Sequence, residues 1–139
     1  MSLPDLDPVI RAVSAASRVA HRAAAERADL ADLLKDDRSP VTVADLAVQV
    51  AITAALRAAG VPYADRIVGE EGADSLDAGG TIMIDQLLRL SGDALTAAGL
   101  ADAAPTNEAA LRELLDAAGL DPVAEGRSTF WCLDPIDGT

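Results

Sequence analysis

The sequence predicts an α/β chain in which helices dominate. Three observations carry this. Half of its 139 residues are hydrophobic, yet only one Trp, one Tyr and one Phe are present, so the core is built from Ala, Leu, Val and Ile, a mix that favours helices over sheets. Apolar residues recur at helical spacing over several long stretches. Two short runs break that pattern: residues 66–68, β-branched and bounded by turn formers, and residues 128–133, which hold the one cluster of large aromatics. Both read as buried strands.

Asp7 and Pro8 form a plausible N-cap and first-turn pair for a first helix, in which Val9, Ile10, Val13, Ala16, Ala20 and Ala24 share a face up to about Asp29. Arg11, Arg18, Arg22 and Arg27, with His21 among them, read as solvated surface. A short segment through Leu33-Leu34-Lys35 leads to Asp36-Asp37-Arg38-Ser39-Pro40, a loop in which Pro40 pushes Ser39 into an extended conformation. Thr42, with Asp45 three residues on, is a capping-box variant for a second helix that runs to Gly60, and Pro62 confirms the stop. Arg66-Ile67-Val68 then delivers Gly69-Glu70-Glu71 to the end of a strand. Two more helices are expected over residues 81–90 and 107–118, the latter with Gly119 as C-cap. The strand over residues 128–133 is expected to be central and runs into Asp134-Pro135-Ile136-Asp137-Gly138-Thr139.

The formal charge of −12 disfavours a nucleic-acid backbone or an anionic membrane as partner, since no local basic patch offsets it. An acidic protein that handles a phosphorylated small molecule needs another source of positive charge, and divalent cations held by carboxylates supply it. Cys132 is the single cysteine, which excludes an internal disulfide and a multi-cysteine zinc site. It lacks a basic neighbour to activate it and is expected in the core. The N-terminal residues lack a basic segment followed by an apolar run, and no stretch reaches membrane-spanning length without charges. A reducing cytoplasm is the expected compartment. The sequence ends at Thr139 without the polar tail or helix end that usually closes a domain, so a longer protein is expected.

Two-metal phosphate hydrolysis needs hard oxygen ligands, a carboxylate able to bridge two ions and a group that orients the attacking water. Asp134-Pro135-Ile136-Asp137 offers these compactly. Pro135 stiffens the turn, the two carboxylates and the Ile136 carbonyl converge, Gly138 permits close approach of a phosphate, and Thr139 adds a hydroxyl. Asp-Pro and Asp-Gly are equally common in ordinary turns, so spacing alone does not separate the two readings. The wider pattern favours chemistry, because Asp37, the pair Glu70 and Glu71, and Asp134 come from three separate acidic loops. Lys35, the lone lysine, fits either a phosphate contact or a local ion pair with Asp36 and Asp37.

Asp134-Pro135-Ile136-Asp137-Gly138-Thr139 after a Trp-containing strand resembles the signature of the inositol monophosphatase superfamily, and Gly69-Glu70-Glu71 resembles its upstream partner. Lys35-Asp36-Asp37-Arg38-Ser39-Pro40-Val41-Thr42-Val43-Ala44-Asp45 is similar to the K-x-D-x-S-P-V-T-x-x-D pattern of the 3'(2'),5'-bisphosphate nucleotidase branch. The long helical stretch between Glu71 and Trp131 resembles that branch too. The resemblance covers nearly the whole chain but only the N-terminal portion of the family's length.

The resemblance implies a five-layer α-β-α-β-α sandwich, of which residues 1–139 form the N-terminal part, truncated after the last motif. It implies that Glu70, Asp134 and the Ile136 carbonyl hold one Mg2+, that Asp134 and Asp137 contribute to a second, and that a third, weaker ion lies near Glu70. Asp37 would position or activate the water, with Thr139 acting beside it or beside Glu70. Gly138 and Thr139 would offer N–H groups to the substrate phosphate. The implied reaction is removal of the 3'-phosphate from adenosine 3',5'-bisphosphate by activated water, without a covalent intermediate and with lithium sensitivity. An inositol or other sugar monophosphate is the alternative substrate. A non-catalytic module that binds a cation or a protein is the alternative of another class. The family's later aspartate and most of its nucleoside-binding residues are missing from this chain, so the isolated fragment is expected to be inactive, and unstable or prone to aggregate.

Overall fold

A computed structural model describes residues 5–34, 39–119, 126 and 129–136. Its elements are α1 (Asp7–Ala25), α2 (Arg27–Leu34), α3 (Pro40–Ala59), β1 (Ile67–Val68), α4 (Asp74–Ala97), a 3-10 turn (Ala101–Ala103), α5 (Glu108–Ala117) and β2 (Trp131–Cys132). The α/β class holds in its coarse form: helices dominate, and β1 and β2 make a two-stranded parallel sheet among the described residues. Parallel strands need a long crossover, which α4, the 3-10 turn and α5 provide.

The centre of the molecule is α3, against which α1, α2, α4 and α5 all pack. Its sequence explains why. It is largely apolar, with Val43, Leu46, Ala47, Val50 and Ala51 buried, as a helix surrounded by others must be. By length and composition it could cross a membrane, but 72% of its most apolar window is buried within the structure, the setting of a core helix. Opposite it, α1 buries Ala12, Ala15, Ala16, Val19 and Ala23, small side chains that let two helix axes approach closely. Leu76, Met83, Leu87, Leu90 and Leu95 of α4 and Leu111 and Leu115 of α5 complete the core.

Several boundaries differ from the sequence reading. Asp7 is the first residue of α1 rather than its cap, and the Asp5 carboxylate accepts its N–H at 3.0 Å. The first helix ends at Ala25, four residues early, and α2 resumes after Glu26, whose carboxylate receives Arg89 Nη1 at 3.0 and 3.1 Å. Ser39, not Thr42, caps α3: it is extended (φ −82°, ψ 154°), and its Oγ accepts the Thr42 N–H at 3.2 Å. Pro40, having no N–H to satisfy, takes the first helical position instead of breaking the helix. The stop at Gly60 is as expected, in the left-handed region (φ 65°, ψ 32°).

The helix expected over residues 81–90 is the middle of α4. It is preceded by a turn interrupted at Gly80 (φ 66°, ψ −167°) and continues to Ala97 past Ser91, whose Oγ donates to the Leu87 carbonyl at 2.6 Å. The helix expected over residues 107–118 is α5, and Asn107 is its N-cap, accepting the Ala110 N–H at 2.9 Å. Its C-cap is Ala118 rather than Gly119, which forms a bridge to Val68. Arg112 of α5 donates to Asp77 of α4 at 2.6 Å and to Glu108 at 3.0 Å. These hydrogen bonds, that to Asp77 foremost, raise its pKa above the ordinary guanidinium value. The strand expected over residues 128–133 narrows to Trp131–Cys132. Trp131 Nε1 donates to the Pro62 carbonyl at 2.9 Å, pinning β2 to the turn that enters β1.

Candidate active site at the carboxyl edge of the strands

Register decides which acidic residues meet. Ile67 pairs with Trp131 and Val68 with Cys132, and the Leu133 N–H extends the ladder to the Val68 carbonyl at 2.9 Å. Glu70 and Asp134 therefore each lie two residues beyond a paired position, on neighbouring parallel strands. In a parallel pair both chains leave at the same edge, with strand axes roughly 4.8 Å apart. Two acidic residues far apart in sequence thus emerge together. Both are exposed, and neither makes a hydrogen bond or ion pair within the described residues.

The loop that carries Glu70 is held from below. The Gly69 N–H donates to the Ala118 carbonyl at 2.7 Å. The Glu71 N–H donates to Gln49 Oε1 at 3.1 Å, and Gln49 Nε2 donates to the Glu71 carbonyl at 2.7 Å. The Glu71 carboxylate accepts from Ser75 Oγ at 3.0 Å, at the start of α4. Glu71 is thereby engaged with the scaffold, and Glu70 is the acid left facing outward. On the other strand, Ile136 is half-buried, packs against the core and lines a cavity of about 280 Å3 with Ala23, Arg27, Val41 and Ala44.

Of the residues expected at the site, strand register brings Glu70 and Asp134 to one edge, and Ile136 follows two residues on, lining the cavity against α1 and α3. Asp37, Asp137, Gly138 and Thr139 lie outside the described residues, as does Lys35. Among the described residues no three His, Cys, Asp or Glu side chains gather as a metal site. Cys132 corrects an expectation: it is exposed, not a core residue. Its side chain projects from the face of the two-stranded sheet that the described residues leave open, the side on which Phe130 is also exposed.

Sequence reasoning passed over Gln49 and Ser75. A signal for Gln49 was there. Asp45, Gln49 and Thr53 recur every four residues on one face of an otherwise apolar helix, and all three are buried. Polar groups so placed demand partners. For Ser75 no comparable signal exists, because its role depends on where the Glu71 carboxylate turns.

No protein-family model matches the chain, and no solved structure does. Three curated relatives do. The chain is 37% identical over 110 residues to 3'(2'),5'-bisphosphate nucleotidase 2 of Candida albicans (strain SC5314). It is 34% identical over 110 residues to 3'(2'),5'-bisphosphate nucleotidase 1 of the same species, in strains WO-1 and SC5314. Each match covers 77% of this chain and 29% of the relative, so the chain spans less than a third of the length of the curated relatives it matches. These relatives bear out the likeness to the inositol monophosphatase superfamily that the acidic motifs carry. Within that class, the branch the chain resembles is that of the 3'(2'),5'-bisphosphate nucleotidases.

Proposed function

We propose that the chain is the N-terminal part of the catalytic domain of a Mg2+-dependent phosphatase that removes the 3'-phosphate from adenosine 3',5'-bisphosphate. In this reading its helices and two strands contribute to a five-layer α-β-α-β-α sandwich. The supporting observation is the shared carboxyl edge, where Glu70 and Asp134 emerge from neighbouring parallel strands with no partner among the described residues. Two uncompensated carboxylates on a protein of net charge −12 repel each other and repel phosphate. An all-oxygen donor set suits a hard cation such as Mg2+ and not a thiophilic metal.

Glu70, Asp134 and the Ile136 carbonyl would hold one ion, and Asp134 with Asp137 a second. Such ions, when bound, would supply charge neutralisation at the phosphoryl oxygens and would acidify a coordinated water. Asp37 and Thr139 orient that water in line with the ester bond, and the N–H groups of Gly138 and Thr139 receive the phosphate. Attack by water on phosphorus breaks the bond to the 3' oxygen, which leaves with a proton, so no phosphoenzyme is needed.

The test is phosphate release by the complete protein. Glu70→Gln and Asp134→Asn should each lower Mg2+-dependent turnover of adenosine 3',5'-bisphosphate by about 100-fold or more. Unchanged turnover in Asp134→Asn would remove the phosphatase reading. Faster release from an inositol monophosphate than from the nucleotide would move the substrate and keep the site.

A further inference from the structure

We infer that Gln49, a residue of the core helix, positions Glu70 for cation binding; the inference rests on the phosphatase reading above. Gln49 is fully buried, and its side-chain amide engages both the N–H and the carbonyl of Glu71, at 3.1 and 2.7 Å. A primary amide suits this task because it donates and accepts from one planar fork. A glutamate there would keep the acceptor, lose the donor and add a buried negative charge beside Glu70 and Glu71. A methionine would fill the volume and make neither bond.

Gly69 is part of the same device. A β-carbon at this position would lie 2.6 Å from Gln49 Cδ and 2.7 Å from its Oε1, so the amide sits under the loop because residue 69 has no side chain. With Gly69 tied to Ala118 and Glu71 tied to Gln49, the backbone on both sides of Glu70 is fixed. Glu70, which has no partner among the described residues, is thus presented from a preorganised backbone. A ligand held in advance loses less conformational freedom when it binds its ion.

The experiment is Mg2+ titration of the complete protein by calorimetry, independent of turnover, together with amide exchange at Glu71. Gln49→Met should weaken Mg2+ binding about 10- to 100-fold, as loss of groups supporting a metal ligand does, and should speed exchange of the Glu71 N–H. A lowered melting temperature with Mg2+ affinity intact makes Gln49 a packing residue only and overturns the inference. Gly69→Ala displaces the same amide by another route and must weaken binding too, which keeps the test decisive if Gln49→Met does not fold. Affinity unchanged in Gly69→Ala with the amide displaced likewise overturns it. Glu70→Gln and Asp134→Asn separate the two levels: if they weaken binding and the Gln49 and Gly69 variants do not, the positioning role alone fails. If neither carboxylate change alters binding, the phosphatase reading fails and takes the inference with it.

Discussion

The hydroxyl of Ser39 satisfies one of the N–H groups that the first turn of α3 would otherwise leave open, by accepting the Thr42 N–H. Replacing a serine cap by alanine costs about 1 kcal/mol, so Ser39→Ala should lower the urea midpoint accordingly. Thr42→Ala keeps the Ser39 bond to the backbone and should cost less; equal losses would mean that the cap is shared. The sequence contained both hydroxyls and both fitted a capping rule, Thr42 through Asp45. Pro40 separates them physically, since a proline is favoured just inside a helix and puts the cap one residue earlier. Gln49 was harder to read for a different reason. Its polarity within an apolar run signals a partner, but the partner is the backbone of Glu71, 22 residues away, and only the fold brings it close.

Elements whose limits are set by local chemistry were legible: α5 starts at its Asn107 cap, and α3 stops at Gly60. Elements that depend on tertiary packing were not. The first turn of α4 lies ahead of Gly79 and Gly80, a pair that reads as a loop, yet Leu76 is fully buried and holds that turn on the core. The chain negotiates the join at Gly80 with φ 66° and ψ −167°, a region that essentially only glycine occupies. An open space surrounds the position where a β-carbon would lie, so the cost of Gly80→Ala is conformational and not steric. We expect a loss of roughly 1–3 kcal/mol, measured by chemical denaturation. A loss within 0.5 kcal/mol would show that the two segments of α4 adjust around the join.

At the scale of the whole chain, the two-stranded parallel sheet stands out. Parallel sheets are normally covered on both faces, whereas here Cys132 is exposed and Phe130 is 41% exposed. The isolated 139-residue chain is therefore expected to self-associate as its concentration rises, which light scattering detects. A monomer at all concentrations would contradict this. The site was legible to the extent that motif and register coincide: the acids of the two loops, Glu70 and Asp134, were singled out by residue type, and strand pairing puts them at one edge. What positions them was not, because it resides in a buried amide and in backbone carbonyls that leave no mark on composition.

The parallel register also acts as a ruler. Glu70 and Asp134 are measured off from the same rung, so the two-residue spacers Gly69-Glu70 and Leu133-Asp134 must keep equal length. Deleting Leu133 would draw Asp134 back by one strand rise, about 3.3 Å, and turn it to the opposite side, while β1 and the Gln49 clasp stayed intact. Length in these two connections is thus as much a functional property as the acids they carry.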